Sequence, residues 1–381
     1  MSAQVTKVSE SASGRRPMIL MMAGGTGGHV YPALAVATEL LARGYRVEWV
    51  GTKRGLESRV VPAAGILLHH LSVRGVRGKG VADKLLAIVS LGMASLQALW
   101  VVLRRAPGCV VGMGGYVAGP AGIAAWLLRK PLLIHEQNAV AGTTNRMLAP
   151  FATRIVTGFA HAFDKASDGK SVKAVKTVVL GNPVRRELLL ARENYVYDYA
   201  GQRPLRLLVV GGSLGAQAIN ETVAEFVTEN GTENVELFHQ TGTAHYQSVL
   251  DSYGPDVPSN VRIAAFIEDM QAAYAWADVV LCRAGALTVA ELAVMGRPAI
   301  LVPLPSAIDD HQSANAAALT DVGAALLVSQ ELLCAKGLAQ TLAGWIAQPD
   351  ALRAMARASF ASATPDAAQR VSDLCEELLH A

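Results

Sequence analysis

A chain of 381 residues, 51% hydrophobic and only 17% charged, has room for two separate cores and is too apolar to stay disordered. Its formal net charge of +3, with no Lys/Arg-rich run interleaved with aromatics, argues against nucleic acid as a partner. Cys109, Cys282, Cys334 and Cys375 form no C-x-x-C pair, so reduced thiols are expected rather than a zinc site or a disulfide framework.

Residues 1–17 form a polar arm. Its Arg15-Arg16 pair invites an export reading, but the apolar run behind it, Met18 to Ala23, is shorter than a signal h-region and ends in glycines. That run reads instead as a buried strand. Gly24-Gly25-Thr26-Gly27-Gly28-His29 follows, then a helical pattern through Ala33, Val36, Ala37 and Leu40, a stop at Gly44, and a second strand from Tyr45 to Val50. The opening is Rossmann-like without being a dinucleotide fingerprint, because the sixth position counted from Gly25 is Val30. Glu48 imitates a ribose-binding acid, but without the fingerprint a nicotinamide oxidoreductase is a weak reading. Neither Gly78-Lys79-Gly80 nor Gly169-Lys170-Ser171 completes a P-loop.

Leu85 to Leu103 carries no charge over a length that, at about 1.5 Å per residue, almost spans a bilayer core. Ser90, Gly92, Ser95 and Gln97 interrupt it, and it sits inside an alternating strand and helix series, so a membrane span is not expected. Arg74, Arg77, Lys79 and Lys84 precede it and Arg104 and Arg105 follow. Two readings stay open: a wholly buried helix, or a surface anchor for anionic membranes.

A second glycine loop, Gly112 to Pro120, follows the strand at Gly108 to Val111, and Pro131 to Ile134 leads into His135-Glu136-Gln137-Asn138. Strands at Ile155 to Thr157 and Thr177 to Leu180 complete a first domain over 18–181. Gly181-Asn182-Pro183 then breaks the chain, and the polar run over 182–204 reads as a hinge or linker. Leu205 to Val210, Gly211-Gly212-Ser213-Leu214-Gly215 and a helix at Ala218 to Val227 repeat the opening at an offset of 187, with Gly24 over Gly211. Strands at Val235 to His239 and Val261 to Phe266 continue a second domain over 205–349, and 350–381 is helical by pattern.

The most informative stretch is Val279 to Asn315. An apolar run to Cys282 breaks at small residues and resumes as a helix through Leu287, Glu291 and Leu292; a further run, Ala299 to Pro303, precedes a helix near His311. Ala284 to Thr288 is expected to cradle a diphosphate on backbone amides. The competing reading is a capping box, Thr288-Val-Ala-Glu291, in which Glu291 only returns a hydrogen bond to the cap. Glu291, Gln312 and Asn315 all lie just beyond strands, at the edge where open α/β sheets bind ligands. The expected architecture is α/β: two Rossmann-like, doubly wound parallel-sheet domains facing each other across a cleft.

GGTGGHVYPALAVA, GMGGYVAGPAG, HEQNAVAGTTNRML, GNPVR, GGSLGA, FIEDM, RAGALTVAEL and DDHQSANA occur in this order over nearly the whole chain beyond the arm. In this the chain resembles the MurG family of lipid-linked N-acetylglucosaminyltransferases, which have the GT-B fold. The resemblance implies transfer of N-acetylglucosamine, with inversion, from UDP-N-acetylglucosamine to undecaprenyl-diphosphate-linked N-acetylmuramoyl-pentapeptide in peptidoglycan synthesis. It implies a peripheral enzyme at the cytoplasmic face of the inner membrane. Carried over by motif, Ser213, Leu287 and Thr288 lie near the donor diphosphate with Ala286, Val289 and Ala290 beside them, Ile267 at the uracil, Glu291 at the ribose hydroxyls, and Gln312 and Asn315 at the sugar. Arg185 belongs to the nucleotide pocket. Thr26, Gly27, Gly28 and Asn138 close over the donor, while Gly114, Gly115 and Tyr116 approach the acceptor diphosphate. Leu214 departs from the pattern, since many relatives carry a polar residue there.

The chemistry needs a base for the attacking hydroxyl and charge stabilisation for the departing UDP. His29 is the expected base, because imidazole is the side chain suited to proton transfer near working pH and this one ends a glycine loop; Glu136 is the alternative and His135 a positioning residue. No Asp-x-Asp motif or other clear metal cluster is present, so no obligatory cofactor or metal is expected. A UDP-sugar epimerase of the same architecture is the alternative function.

Overall fold

The computed structural model describes residues 17–72, 81–164, 176–194, 196–212, 215–305 and 310–380, without the side chains of 81–88 and 230. Arg74, Arg77 and Lys79, the side chain of Lys84, and the Ser213 and Leu214 positions lie outside this description.

The first half alternates strand and helix in the order β1 (Met18–Met22), α1 (Gly27–Ala42), β2 (Arg46–Gly51), α2 (Glu57–Ala63), β3 (Leu67–His70), α3 (Val81–Arg105), β4 (Cys109–Gly112), α4 (Ala118–Leu127), β5 (Leu132–Glu136), α5 (Thr143–Leu148), β6 (Arg154–Thr157) and β7 (Thr177–Val179). Its strands pair in parallel in the order β3-β2-β1-β4-β5-β6-β7. After α6 (Arg186–Glu193) the pattern recurs with β8 (Leu205–Val210), α7 (Gln217–Asn230), β9 (Val235–Gln240), α8 (Tyr246–Tyr253), β10 (Val261–Ala264), α9 (Met270–Trp276), β11 (Val279–Cys282), α10 (Ala286–Val294), β12 (Ala299–Leu301), α11 (His311–Thr320) and β13 (Ala325–Leu327). These strands form a second parallel sheet, β10-β9-β8-β11-β12-β13. The two doubly wound α/β sheets therefore bear out the expected fold class.

The central strands are continuous apolar runs because both faces of each sheet are covered. Every residue of β1 is buried between two apolar clusters. One cluster takes Leu20 and Met22 with Ala94, Ala98 and Val102 of α3, and the other takes Ile19 and Met21 with Val36 and Leu40 of α1. In the second sheet Leu207 and Val209 face Ile219 and Val223 of α7, and Leu208 faces the Val289 and Leu292 side of α10.

Three helices close the chain: α12 (Ala335–Ala347), α13 (Pro349–Ala361) and α14 (Ala367–His380). The first two pack in the second lobe, α13 against α10, whereas α14 returns to the first and lies on α1 and β4. Val371, Leu374, Cys375 and Leu378 of α14 complete the first-lobe core. The chain thus crosses between lobes twice, and the crossings touch: Gly181 (φ +86°) lies so close to Thr364 that a Cβ would collide with that side chain. The 182–204 stretch, expected to be a linker, contains α6, whose Leu188 is buried against the second lobe.

Candidate active site

The polypeptide reverses direction of strand order between β1 and β4 in one sheet and between β8 and β11 in the other, and open α/β sheets take ligands at such switch points. Glycine loops leave the strand ends there. In the first lobe the carboxylate of Glu57, fully buried, accepts from Gly25 N (3.0 Å), Thr52 N (2.8 Å) and Thr52 Oγ1 (2.8 Å). The loop after β4 packs against this one: a Cβ on Gly115 (φ +79°) would run into the Gly24 carbonyl oxygen, and one on Gly114 (φ +92°) would come within 2.7 Å of His29 Nδ1. In the second lobe Gln240 does the work of Glu57, its Oε1 accepting from Gly212 N (2.9 Å) and its Nε2 donating to the Gly212 and Ala265 carbonyl oxygens (3.1 and 3.0 Å).

Between the loops lies a cleft of about 1320 Å³, bounded by both lobes. The starts of α1 and α10 open onto it through Thr26 to His29 and Gly285 to Thr288. Neither start is capped by a side chain and neither helix has an acidic residue in its first turn. The first amides of each therefore keep their partial positive charge for an anion. Arg59 and Arg185 line the same space.

Arg185 links the lobes electrostatically. Its Nε and Nη2 donate to Glu291 Oε1 at 3.1 and 2.8 Å, and its guanidinium stands 5.2 Å from the Tyr31 ring of α1. Glu291 also accepts from Tyr274 Oη at 3.1 Å. Burial pushes the Glu291 carboxyl up, and Arg185 opposes that shift by favouring the charged form.

Of the residues expected from the sequence, Thr26, Gly27, Gly28, His29, Glu136, Asn138, Arg185, Ile267, Ala286, Leu287, Thr288 and Glu291 are brought together around this one cleft. Others fall elsewhere. Val289 points into the core and Ala290 does not line the cleft. Gly114, Gly115 and Tyr116 sit behind the first glycine loop, with the Tyr116 hydroxyl 3.5 Å from a Cβ built on Gly25. Gln312 Oε1 accepts from Leu304 N at 3.0 Å. Asn315 is fully buried and acts as a clasp: Oδ1 accepts from Ala139 N (2.7 Å), while Nδ2 donates to Asn138 Oδ1 (3.3 Å) and to the Ala284 carbonyl oxygen (3.1 Å). The capping-box reading fails because α10 begins at Ala286 behind Gly285, which puts Thr288 inside the helix.

The two base candidates separate clearly. Both oxygens of buried Glu136 are engaged, Oε1 by Asn138 N and Nδ2 (2.9 and 3.1 Å) and Oε2 by Gly142 N and Asn145 Nδ2 (2.9 and 2.8 Å). The carboxylate pins the loop after β5. His29, by contrast, offers an imidazole to the cleft while its Nδ1 lies 3.1 Å from Gln137 Oε1. Glu48 is remote from the cleft, in a network with Arg105, His69 (2.7 Å) and Arg46 (3.5 Å).

Sequence reading missed Glu57, Gln137, Tyr274 and Gln240. Each is a polar residue with at least one partner 17 or more positions away along the chain, which no local spacing announces.

Residues 19–157 match the Glycosyltransferase family 28 N-terminal domain and residues 206–371 the Glycosyltransferase family 28 C-terminal domain. The UDP-N-acetylglucosamine--N-acetylmuramyl-(pentapeptide) pyrophosphoryl-undecaprenol N-acetylglucosamine transferase of Stutzerimonas stutzeri (strain A1501) is 47% identical over 363 residues, 95% of this chain and 99% of that protein. Its namesake in Azotobacter vinelandii is 48% identical over 361 residues, 94% of this chain and 98% of that protein. The crystal structure of Acinetobacter baumannii MurG superposes with a TM-score of 0.74 at 39% identity, covering 95% of this chain and 99% of that one. A putative UDP-N-acetylglucosamine 2-epimerase from Listeria monocytogenes reaches a TM-score of 0.67 at 15% identity over 93% of this chain and 95% of its own, a likeness of fold alone. The chain belongs to glycosyltransferase family 28, among the N-acetylglucosamine transferases that make up the MurG family.

Proposed function

We propose that this protein transfers N-acetylglucosamine, with inversion, from UDP-N-acetylglucosamine to the undecaprenyl-diphosphate-linked N-acetylmuramoyl-pentapeptide, completing the disaccharide lipid precursor of peptidoglycan. The observation that carries the reading is near-full-length likeness to transferases of that name, joined to a cleft whose walls carry two uncapped helix starts.

The donor diphosphate lies against the amides at the start of α10, with Arg185 beside it and Ile267 at the uracil. Thr26, Gly27 and Gly28 close from the other lobe. The acceptor oxygen attacks the anomeric carbon as the bond to UDP breaks, and the hydroxyl proton passes to His29. One helix start contributes about 0.3 to 2 kcal/mol, where about 1.4 kcal/mol is a factor of ten. A single terminus is too little, so both loops and a guanidinium act together on the leaving group. This machinery asks for no metal ion.

The acceptor lipid reaches the first lobe from a membrane surface. Val89, Leu91, Leu96, Trp100 and Leu103 of α3 are exposed, as are Trp126 and Leu127 of α4 and Met147 of α5. Arg104 stacks 5.2 Å from the Trp100 ring. An apolar face with a basic rim suits an anionic bilayer such as the cytoplasmic leaflet of the inner membrane. No helix among the described residues is long and apolar enough to cross it.

Incubating the enzyme with UDP-N-acetylglucosamine, with and without the lipid acceptor and in chelator throughout, tests the reading. UDP release only when acceptor is present is expected. Conversion of the donor sugar without acceptor marks an epimerase instead, and activity abolished by chelator and restored by magnesium contradicts the metal-free mechanism.

A further inference from the structure

Gln137 is buried at the carboxyl end of β5, where its amide bridges two histidines. The group facing the Met113 carbonyl oxygen, at 3.0 Å, must be the NH2, because a carbonyl oxygen only accepts. The oxygen Oε1 therefore faces His29 Nδ1 at 3.1 Å, and it too only accepts. His29 must carry its proton on Nδ1. The other histidine gives the same answer independently. The Gly181 carbonyl oxygen lies 3.0 Å from His135 Nε2, which assigns the proton to that nitrogen and leaves Nδ1 to accept the second N–H of Gln137 at 3.3 Å. Burial pushes the His135 pKa down to about 4, so this imidazole stays neutral and keeps an acceptor nitrogen.

We propose that Gln137 is a positioning residue that locks His29 in the Nδ1-protonated tautomer, so that unprotonated Nε2 is the atom presented to the acceptor hydroxyl. The proposal rests on His29 being the base and says how it is made competent. As the acceptor oxygen bonds to the anomeric carbon and the bond to UDP breaks, the hydroxyl proton goes to Nε2. The resulting imidazolium is held through Nδ1–H by the Gln137 oxygen, a neutral counterpart of the carboxylate that orients histidine in hydrolase triads. The network ends at the lobe crossing: Gly181 accepts from His135, and Asn182 Nδ2 donates to the Gln137 main-chain carbonyl oxygen at 3.0 Å. The tautomer is thereby tied to the segment through which the chain crosses between the lobes.

Nitrogen NMR of ring-labelled histidine protein, with the His29 signals assigned by their absence in His29→Ala, tests this directly. The wild-type spectrum, recorded with the His29 ring neutral, is expected to show Nδ1 protonated. In Gln137→Met, of similar length but without an acceptor, the proton is expected to move toward Nε2. There kcat should fall by about tenfold or more, up to the roughly 10⁴-fold loss that a wrong tautomer brings in the triad, with donor KM unchanged. A purely structural role would change stability and donor binding but not the tautomer. Wild-type His29 protonated on Nε2 overturns the proposal, as does Gln137→Met with the wild-type tautomer and kcat. Should Gln137→Met not fold, the wild-type spectrum alone decides. Wild-type turnover in His29→Ala removes His29 as base and leaves the tautomer assignment standing.

Discussion

Glu136 holds four donors on two oxygens, whereas His29 commits one nitrogen to Gln137 and turns its ring to the cleft. A carboxylate so engaged must break hydrogen bonds to accept a proton, which supports the proposed assignment of the base role to the imidazole. Replacing His29 with Ala is expected to lower kcat by about 10² to 10⁴, the usual worth of a positioned base, with UDP affinity unchanged in a binding titration. Wild-type turnover would contradict the assignment. Arg185 and Glu291 illustrate a different economy. Their ion pair is largely desolvated, and truncating either partner leaves a buried charge alone.

At the scale of elements, α3 divides its apolar residues between two faces. Ala94, Ala98, Val101 and Val102 are buried in the first-lobe core, while Leu96, Trp100 and Leu103 are 70%, 57% and 65% exposed. Leaving such side chains in water forgoes up to about 2 kcal/mol each, which an interfacial position recovers. Changing Leu96, Trp100 and Leu103 together to Ser is expected to abolish co-flotation with anionic liposomes while UDP binding stays at the wild-type level. Undiminished flotation would rule this face out. Of the two readings left open for the uncharged run, a wholly buried helix is excluded, since the described part of the helix is buried on one side and exposed on the other; the anchor is the proposal that flotation checks. β1 was legible because burial on both faces writes an unbroken apolar run, and β8 because only Arg206 interrupts its run. The edge strands β3 and β13 were not, because they are half exposed and mix Leu with His or Ala. Glycine capping misled the placement of α10: Gly285 caps with backbone alone, and Thr288 supplied a side-chain signal one turn too late. The polar network around Gln137 joins residues far apart in sequence, and no local spacing announces it.

Across the whole molecule, the internal repeat read at an offset of 187 became two sheets that share their strand order over six strands, with β7 added at the edge of the first, each presenting its switch point to the shared cleft. The second crossing, through Thr364 to α14, was not legible, since an amphipathic helix does not declare which lobe it will cover. Its return makes the connection between the lobes double. The lobes meet through Asn315, which holds Asn138 and Ala139, and through Arg185 against Tyr31. The central claim is that the paired phosphates of the donor sit on the first amides of α10, across the cleft from the glycine loop of α1. A crystal structure with UDP-N-acetylglucosamine bound tests it most directly. Diphosphate oxygens within hydrogen-bonding distance of the amides at Ala286 to Thr288 are predicted; a donor bound elsewhere on the protein, with those amides facing only water, would contradict the account.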